Sequence, residues 1–179
     1  MAVSNPDTVK LVDPRKRVTI AIEEFLTQRG WAVSRVRRSC QFFELPIETT
    51  PYIFLEPPRK RQEYFEIVGA IGVISRPFER YWATSHPTDT DTLAMTLHLA
   101  NLTGLHEARL ISAEQIEPDV EVLATGLLKV LESFPRDEQS LRSAFQRGEL
   151  GGKPIVNFSG YVGREKYRAL EEFISRVHH

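Results

Sequence analysis

The stretch EYFEIVGAIGVISRPFERYW, residues 63–82, constrains the fold more than any other part of the chain. At its heart, residues 67–74 are eight apolar or glycine residues in a row. A membrane-crossing helix requires about 20 apolar residues, so this run, flanked by acids and arginines, is too short to span a bilayer. A phosphate-binding loop would need more glycines and a Lys-Ser/Thr pair at fixed spacing, whereas Arg76-Pro77 comes next here. With a two-residue period, Phe65, Ile67, Gly69, Ile71 and Val73 face one way. Tyr64, Val68, Ala70, Gly72 and Ile74 face the other, with Glu66 the exception. Apolar residues on both faces predict one strand over residues 64–74, covered on both sides and central in its sheet. Glycine inside such a strand marks a bulge or a close approach by another backbone.

The neighbouring elements are set by capping and periodicity. Asp13 is a good N-cap, Pro14 suits the first helical position, and Gly30 is a natural stop. Between them Val18, Ile22, Phe25 and Leu26 fall on one helical face. Residues 31–47 are rich in aromatic and branched side chains. No glycine or proline separates residues 31–39 from residues 40–47, which favours one long strand over two. Residues 107–112 read as a short strand. Residues 91–103 carry two apolar stripes, Leu93-Leu97-Ala100 and Met95-Leu99-Leu102, which predict a well-buried helix ended by Gly104. Helices are also expected over residues 118–134, 137–148 and 164–177. Strands grouped early and helices grouped late predict an α+β fold. Its sheet is short, antiparallel or mixed, built from the N-terminal half, and packed by helices mostly from the C-terminal half. At 179 residues one domain is the default, with the first twelve residues flexible.

Composition sets bounds on partners and location. The formal net charge is -1. Residues 1–82 hold 13 basic and 10 acidic side chains, a net of +3, far less basic than nucleic-acid domains usually are. Cys40 is the only cysteine, so no intramolecular disulfide and no cysteine-rich zinc site can be built. That, and an N-terminus without the apolar core of a signal peptide, points to a cytoplasmic location.

Candidate sites are sparse. Arg35, Arg37 and Arg38, then Arg59, Lys60 and Arg61, then Arg76 and Arg80 form basic clusters near Phe42, Phe43, Tyr81 and Trp82. Cations beside stacking surfaces suit single-stranded nucleic acid or a phosphorylated ligand. Arginines on solvated strand positions, paired with Glu44, Glu56, Glu63 and Glu66, are the weightier explanation. His86, with Asp89 and Asp91, could form a small metal or acid–base site, although such loops more often cap helices. His98 lies between the apolar stripes and reads as a satisfied, partly buried histidine. Cys40 reads as a buried, inert thiol. Ser75 and Ser159 lack the glycine-flanked elbow of a hydrolase nucleophile. Half of the glycines gather in residues 148–163 beside Lys153, Arg164 and Lys166. There they could hold an anion, but a mobile surface loop or a partner-contact loop is the better expectation.

The leading expectation is a non-catalytic protein-binding module, an adaptor or a neutralising, immunity-type partner. Its contact surface is expected at Arg76, Phe78, Arg80, Tyr81, Trp82 and His86, since aromatics and arginines are common at interfaces. The partner is another protein or a second copy in a homodimer, with no membrane, no cofactor and no metal. The enzyme alternative is a hydrolase or transferase acting on a phosphate-bearing substrate, using His86 and Asp89 or Asp91 with Arg76 and Arg80. Weak nucleic-acid binding through the basic N-terminal half is a further alternative.

Overall fold

The computed structural model describes residues 13–87, 93–150, 153–154 and 161–176. The first twelve residues, Asp89, Asp91 and most of the glycine-rich stretch lie outside them. The first helix, α1 (Pro14–Thr27), starts as its sequence dictates. The Asp13 carboxylate accepts a hydrogen bond from the Arg15 N–H at 3.0 Å, and Pro14 needs no partner for an N–H it lacks. Val18, Ile22 and Leu26 are buried, and Gly30 comes after the helix at φ +87°.

Residues 31–47 do not form one strand. They fold back as a hairpin of β1 (Ala32–Val36) and β2 (Ser39–Phe43), with Val36 paired to Ser39 across a two-residue turn, Arg37-Arg38. Such turns favour Asn or Gly because a left-handed backbone is needed, which is why this one carries no signal in the sequence. Arg37 adopts that conformation, φ 59°. A side chain there costs roughly 1–2 kcal/mol. Arg37→Gly is therefore expected to raise stability by about 0.5–1 kcal/mol, once the greater chain entropy of glycine is subtracted. A denaturant titration showing a loss of stability would refute the strain.

The strands β3 (Thr49–Leu55), β6 (Gly69–Ser75) and β7 (Leu93–His98) complete a five-stranded sheet in the order β1-β2-β3-β6-β7, and β4 (Arg59–Lys60), β5 (Tyr64–Glu66) and β8 (Leu110–Ser112) form a second sheet in the order β4-β5-β8. Every pairing is antiparallel. All of β6 is buried between β3 and β7, the position its two-sided apolar run demands. The expected strand is nevertheless broken. At residues 67–68 the chain passes from one sheet to the other. There the Ile67 N–H donates to the Arg109 carbonyl at 2.8 Å, and the Val68 carbonyl accepts from the Glu56 N–H at 2.9 Å. Buried Arg109 braces the break by donating from Nη1 to the Ile67 carbonyl at 3.3 Å.

The helix expected over residues 91–103 is instead β7, followed by two single 3₁₀ turns, Leu99–Asn101 and Thr103–Leu105. Leu93, Met95 and Leu97 alternate with Ala94, Thr96 and His98, so a two-residue period was also available. The open edge of β6 took the segment, and a non-local pairing overrode the helical propensity of Leu, Ala and Met.

The helices are α2 (Arg76–Ala83), α3 (Ile116–Leu131), α4 (Glu138–Arg147) and α5 (Tyr161–Arg176), with a short pair of β9 (Glu149–Leu150) and β10 (Lys153–Pro154) between the last two. The protein is α+β, as expected. Phe42, Ile53, Ile71 and Leu97 stand in register on one face of the sheet. They join Val18, Ile22 and Leu26 of α1 and Val120, Leu123 and Leu127 of α3 in one continuous core. Arg136 ties the end of α3 to the sheet. Its Nε and Nη2 donate to the two Glu44 carboxylate oxygens at 2.9 Å each, and Nη1 donates to the carbonyls of Leu131, Glu132 and Phe134. No helix among the described residues is long and apolar enough to cross a membrane.

Candidate functional site

Two residues of the expected contact surface, Phe78 and Trp82, are buried, whereas Arg80 is exposed and Arg76, Tyr81 and His86 are partly exposed. Ser75, the residue before α2, is fully buried, and its hydroxyl accepts the Phe78 N–H at 3.2 Å, so it is a helix cap. One turn on, Phe78 and Trp82 are 1% and 2% exposed, four residues apart on the face that meets α5. Phe78 packs on Phe173 at 5.7 Å between ring centroids. Tyr81 lies 5.5 Å from the same ring, donates its hydroxyl to Glu172 at 3.0 Å, and is covered by the Arg176 guanidinium at 5.3 Å. Desolvation, then the bond to Glu172, pushes the Tyr81 phenol above its ordinary pKa. His86 stacks on Trp82, 3.6 Å between centroids and 5° from parallel, with Nε2 at 3.3 Å from the Glu165 carboxylate.

The arginines of that segment are spoken for as well. Arg76 pairs with Glu79 and Arg80 lies 3.9 Å from Glu48, while His86 turns to Glu165. Three different carboxylates lie beside the three groups. Among the described residues no group of three or more His, Cys, Asp or Glu could hold a metal. Cys40 is buried, and burial pushes its thiol above the ordinary pKa, with Arg35 pulling it back and Glu23 adding to the rise. A protonated thiol is a poor nucleophile, which agrees with the inert reading.

The fold instead brings together the two other basic runs. β2 starts beside the end of β3, because Cys40 pairs with Leu55. Arg38, at the hairpin tip, therefore lines the same cleft as Glu56, Pro57 and Pro58, and Arg59, Lys60 and Arg61 come directly after. That cleft has a volume of about 10 Å³, room for no more than a water molecule, so the corner is a surface and not a pocket. The cations divide into two sets. Arg59 pairs with Glu56 at 2.9 Å, Arg61 grips Glu66 through Nε at 3.0 Å and Nη2 at 2.6 Å, and Arg35 reaches Glu23 of α1. The Arg61 hydrogen bond holds the Glu66 carboxyl below the usual carboxylate range. The side chains of Arg37, Arg38 and Lys60 are exposed and, among the described residues, make no side-chain hydrogen bond or ion pair.

Beside this corner runs β1, an edge of the five-stranded sheet. Its last residue, Val36, is 51% exposed. A strand edge presents a row of unpaired backbone donors and acceptors. Unpartnered charge, an exposed apolar side chain and an open backbone edge thus lie within one short element and its turn. No protein family, curated protein or solved structure compared with the chain matches it.

Glu165, Glu172 and Arg109, which hold His86, Tyr81 and the sheet break, carried no local signal. Each acts on a residue at least 42 positions away in sequence. The approach of Arg38 to the segment before Arg59 depends on the antiparallel pairing of β2 with β3, which no local stretch of sequence specifies.

Proposed function

We propose that the protein is a non-catalytic binding module that docks an acidic segment of a partner protein at the basic corner of Arg37, Arg38 and Lys60. The observation that supports this most is that these three cations are exposed and, among the described residues, make no ion pair, while their sequence neighbours Arg35, Arg59 and Arg61 are each paired. Arg37 adds weight, because an arginine stands at a backbone position that favours glycine. Strain held in a sparsely populated conformation is a pointer to function.

The test uses an acetylated eight-residue peptide that alternates glutamate with valine, with fluorescence anisotropy as the readout. Binding is expected at about 50 mM salt and is expected to weaken strongly by about 300 mM, where exposed charges are screened within several ångströms. The triple variant R37Q/R38Q/K60Q is expected to bind at least about tenfold more weakly while keeping the wild-type fold. Arg37→Gly is expected to be more stable than wild type yet to bind less well. Equal affinity of wild type and triple variant would remove the corner from the interaction. Preferential capture of a single-stranded oligonucleotide in competition with the peptide would favour the nucleic-acid alternative.

A further inference from the structure

We infer that the acidic segment binds by adding a strand to the edge of β1, which among the described residues pairs with β2 alone; this rests on the docking reading above. The pairing register supplies the geometry. Val36 and Ser39 close the two-residue turn, so they exchange backbone hydrogen bonds, and the antiparallel ladder alternates from there. Ser34 and Ala32 then bond to β2, whereas the N–H and C=O groups of Val33 and Arg35 point away from it. These four groups are what an added strand would engage.

The side chains state what that strand must carry. Arg35 shares the face of Cys40 and remains 60% exposed even while paired with Glu23. Val36 and Ser34 point to the opposite face, and Val36 is half exposed and apolar. A segment that alternates acid on the Arg35 side with an apolar residue on the Val36 side satisfies both faces through cross-strand pairs. Its end nearest the turn meets Arg37 and Arg38. Main-chain bonds supply affinity and the alternate side chains supply specificity, as in other cases of strand addition. A second copy of this chain is a poorer occupant. Pairing β1 antiparallel with itself brings two Arg35 side chains onto one seam and supplies no carboxylate.

The experiment compares the alternating Glu-Val peptide with an analogue carrying two adjacent central N-methyl amides, one facing each side of an extended chain. The analogue keeps every charge but cannot pair along either edge at its centre. The unmethylated peptide is expected to bind at least about tenfold more tightly than the analogue. Saturation with it is expected to slow hydrogen exchange of the Val33 and Arg35 amides at least about tenfold. Equal affinity for both peptides, with those two amides unchanged, would overturn strand addition and leave charge-driven docking intact. Binding of neither peptide would overturn both. Protection of the same amides that rises with protein concentration alone would assign the edge to a second copy and also overturn the inference.

Discussion

Gly69→Ala is expected to destabilise the protein by about 3 kcal/mol or more, one of the largest effects of any single methyl group in this fold. The reason is the distance between two central strands. A Cβ built at Gly69 would lie 2.0 Å from the Phe54 carbonyl oxygen, and 3.1 Å from both the Leu55 Cα and its Cδ2. The nearest of these is backbone, next to the last residue of β3, and cannot rotate aside. Relief requires β3 and β6 to part where Leu55 faces Gly69, at the point where the chain crosses between sheets. Typical domains are stable by only about 5–15 kcal/mol, so the loss would be plain in a denaturant titration. Gly104→Ala is the matched control. Nothing lies within 4 Å of a Cβ there and its φ is ordinary, so a change within about 0.5 kcal/mol is expected. If both variants stay within that range, the close approach of the two strands is wrong.

The same glycine shows what the sequence could and could not reveal. An apolar run on both faces, interrupted by glycine, was enough to predict a central strand with either a bulge or a close backbone approach. The strand and the close approach are present, at β6 and at Gly69. The helix starting at Asp13-Pro14 was equally legible, because its cap, first position and stop are all local chemistry. The hairpin at Arg37-Arg38 was not legible. It uses arginines where turn statistics ask for glycine or asparagine, and only the pairing of β1 with β2 compensates for the strain. The strand β7 was hidden for a related reason. Its residues fit a helix as well as a strand, and the deciding factor, the free edge of β6, lies about twenty residues earlier in the chain. For the site, Phe78 and Trp82 were expected on a contact surface, and both are buried. Phe78 and Trp82 repeat at helical spacing, which marks a buried stripe, yet the surface that buries them comes from α5, some ninety residues later. The corner at Arg37, Arg38 and Lys60 was named residue by residue, but its coherence depends on a strand register that no single window contains.

Trp82→Ala is expected to cost roughly 3–5 kcal/mol, the range for emptying a large buried aromatic site. The indole is 2% exposed, stacked on His86 on one side and 6.5 Å from the Phe78 ring, with the Lys166 ammonium 5.8 Å from its centroid. Alanine would leave a cavity between α2 and α5 and deprive His86 of the surface that aligns it with Glu165. Trp82→Phe keeps a ring in that place and is expected to lose only about 1–2 kcal/mol. Trp31, also buried, remains as a fluorescence reporter of unfolding in both variants. The consequence for function is direct. A failure of Trp82→Ala to bind a partner would reflect loss of the fold, so it says nothing about a contact surface. The binding variants belong at Arg37, Arg38 and Lys60, which are exposed and can change without disturbing the core. Unfolding curves for Trp82→Ala within about 1 kcal/mol of wild type would mean that the ring faces solvent, and would return the docking surface to α2.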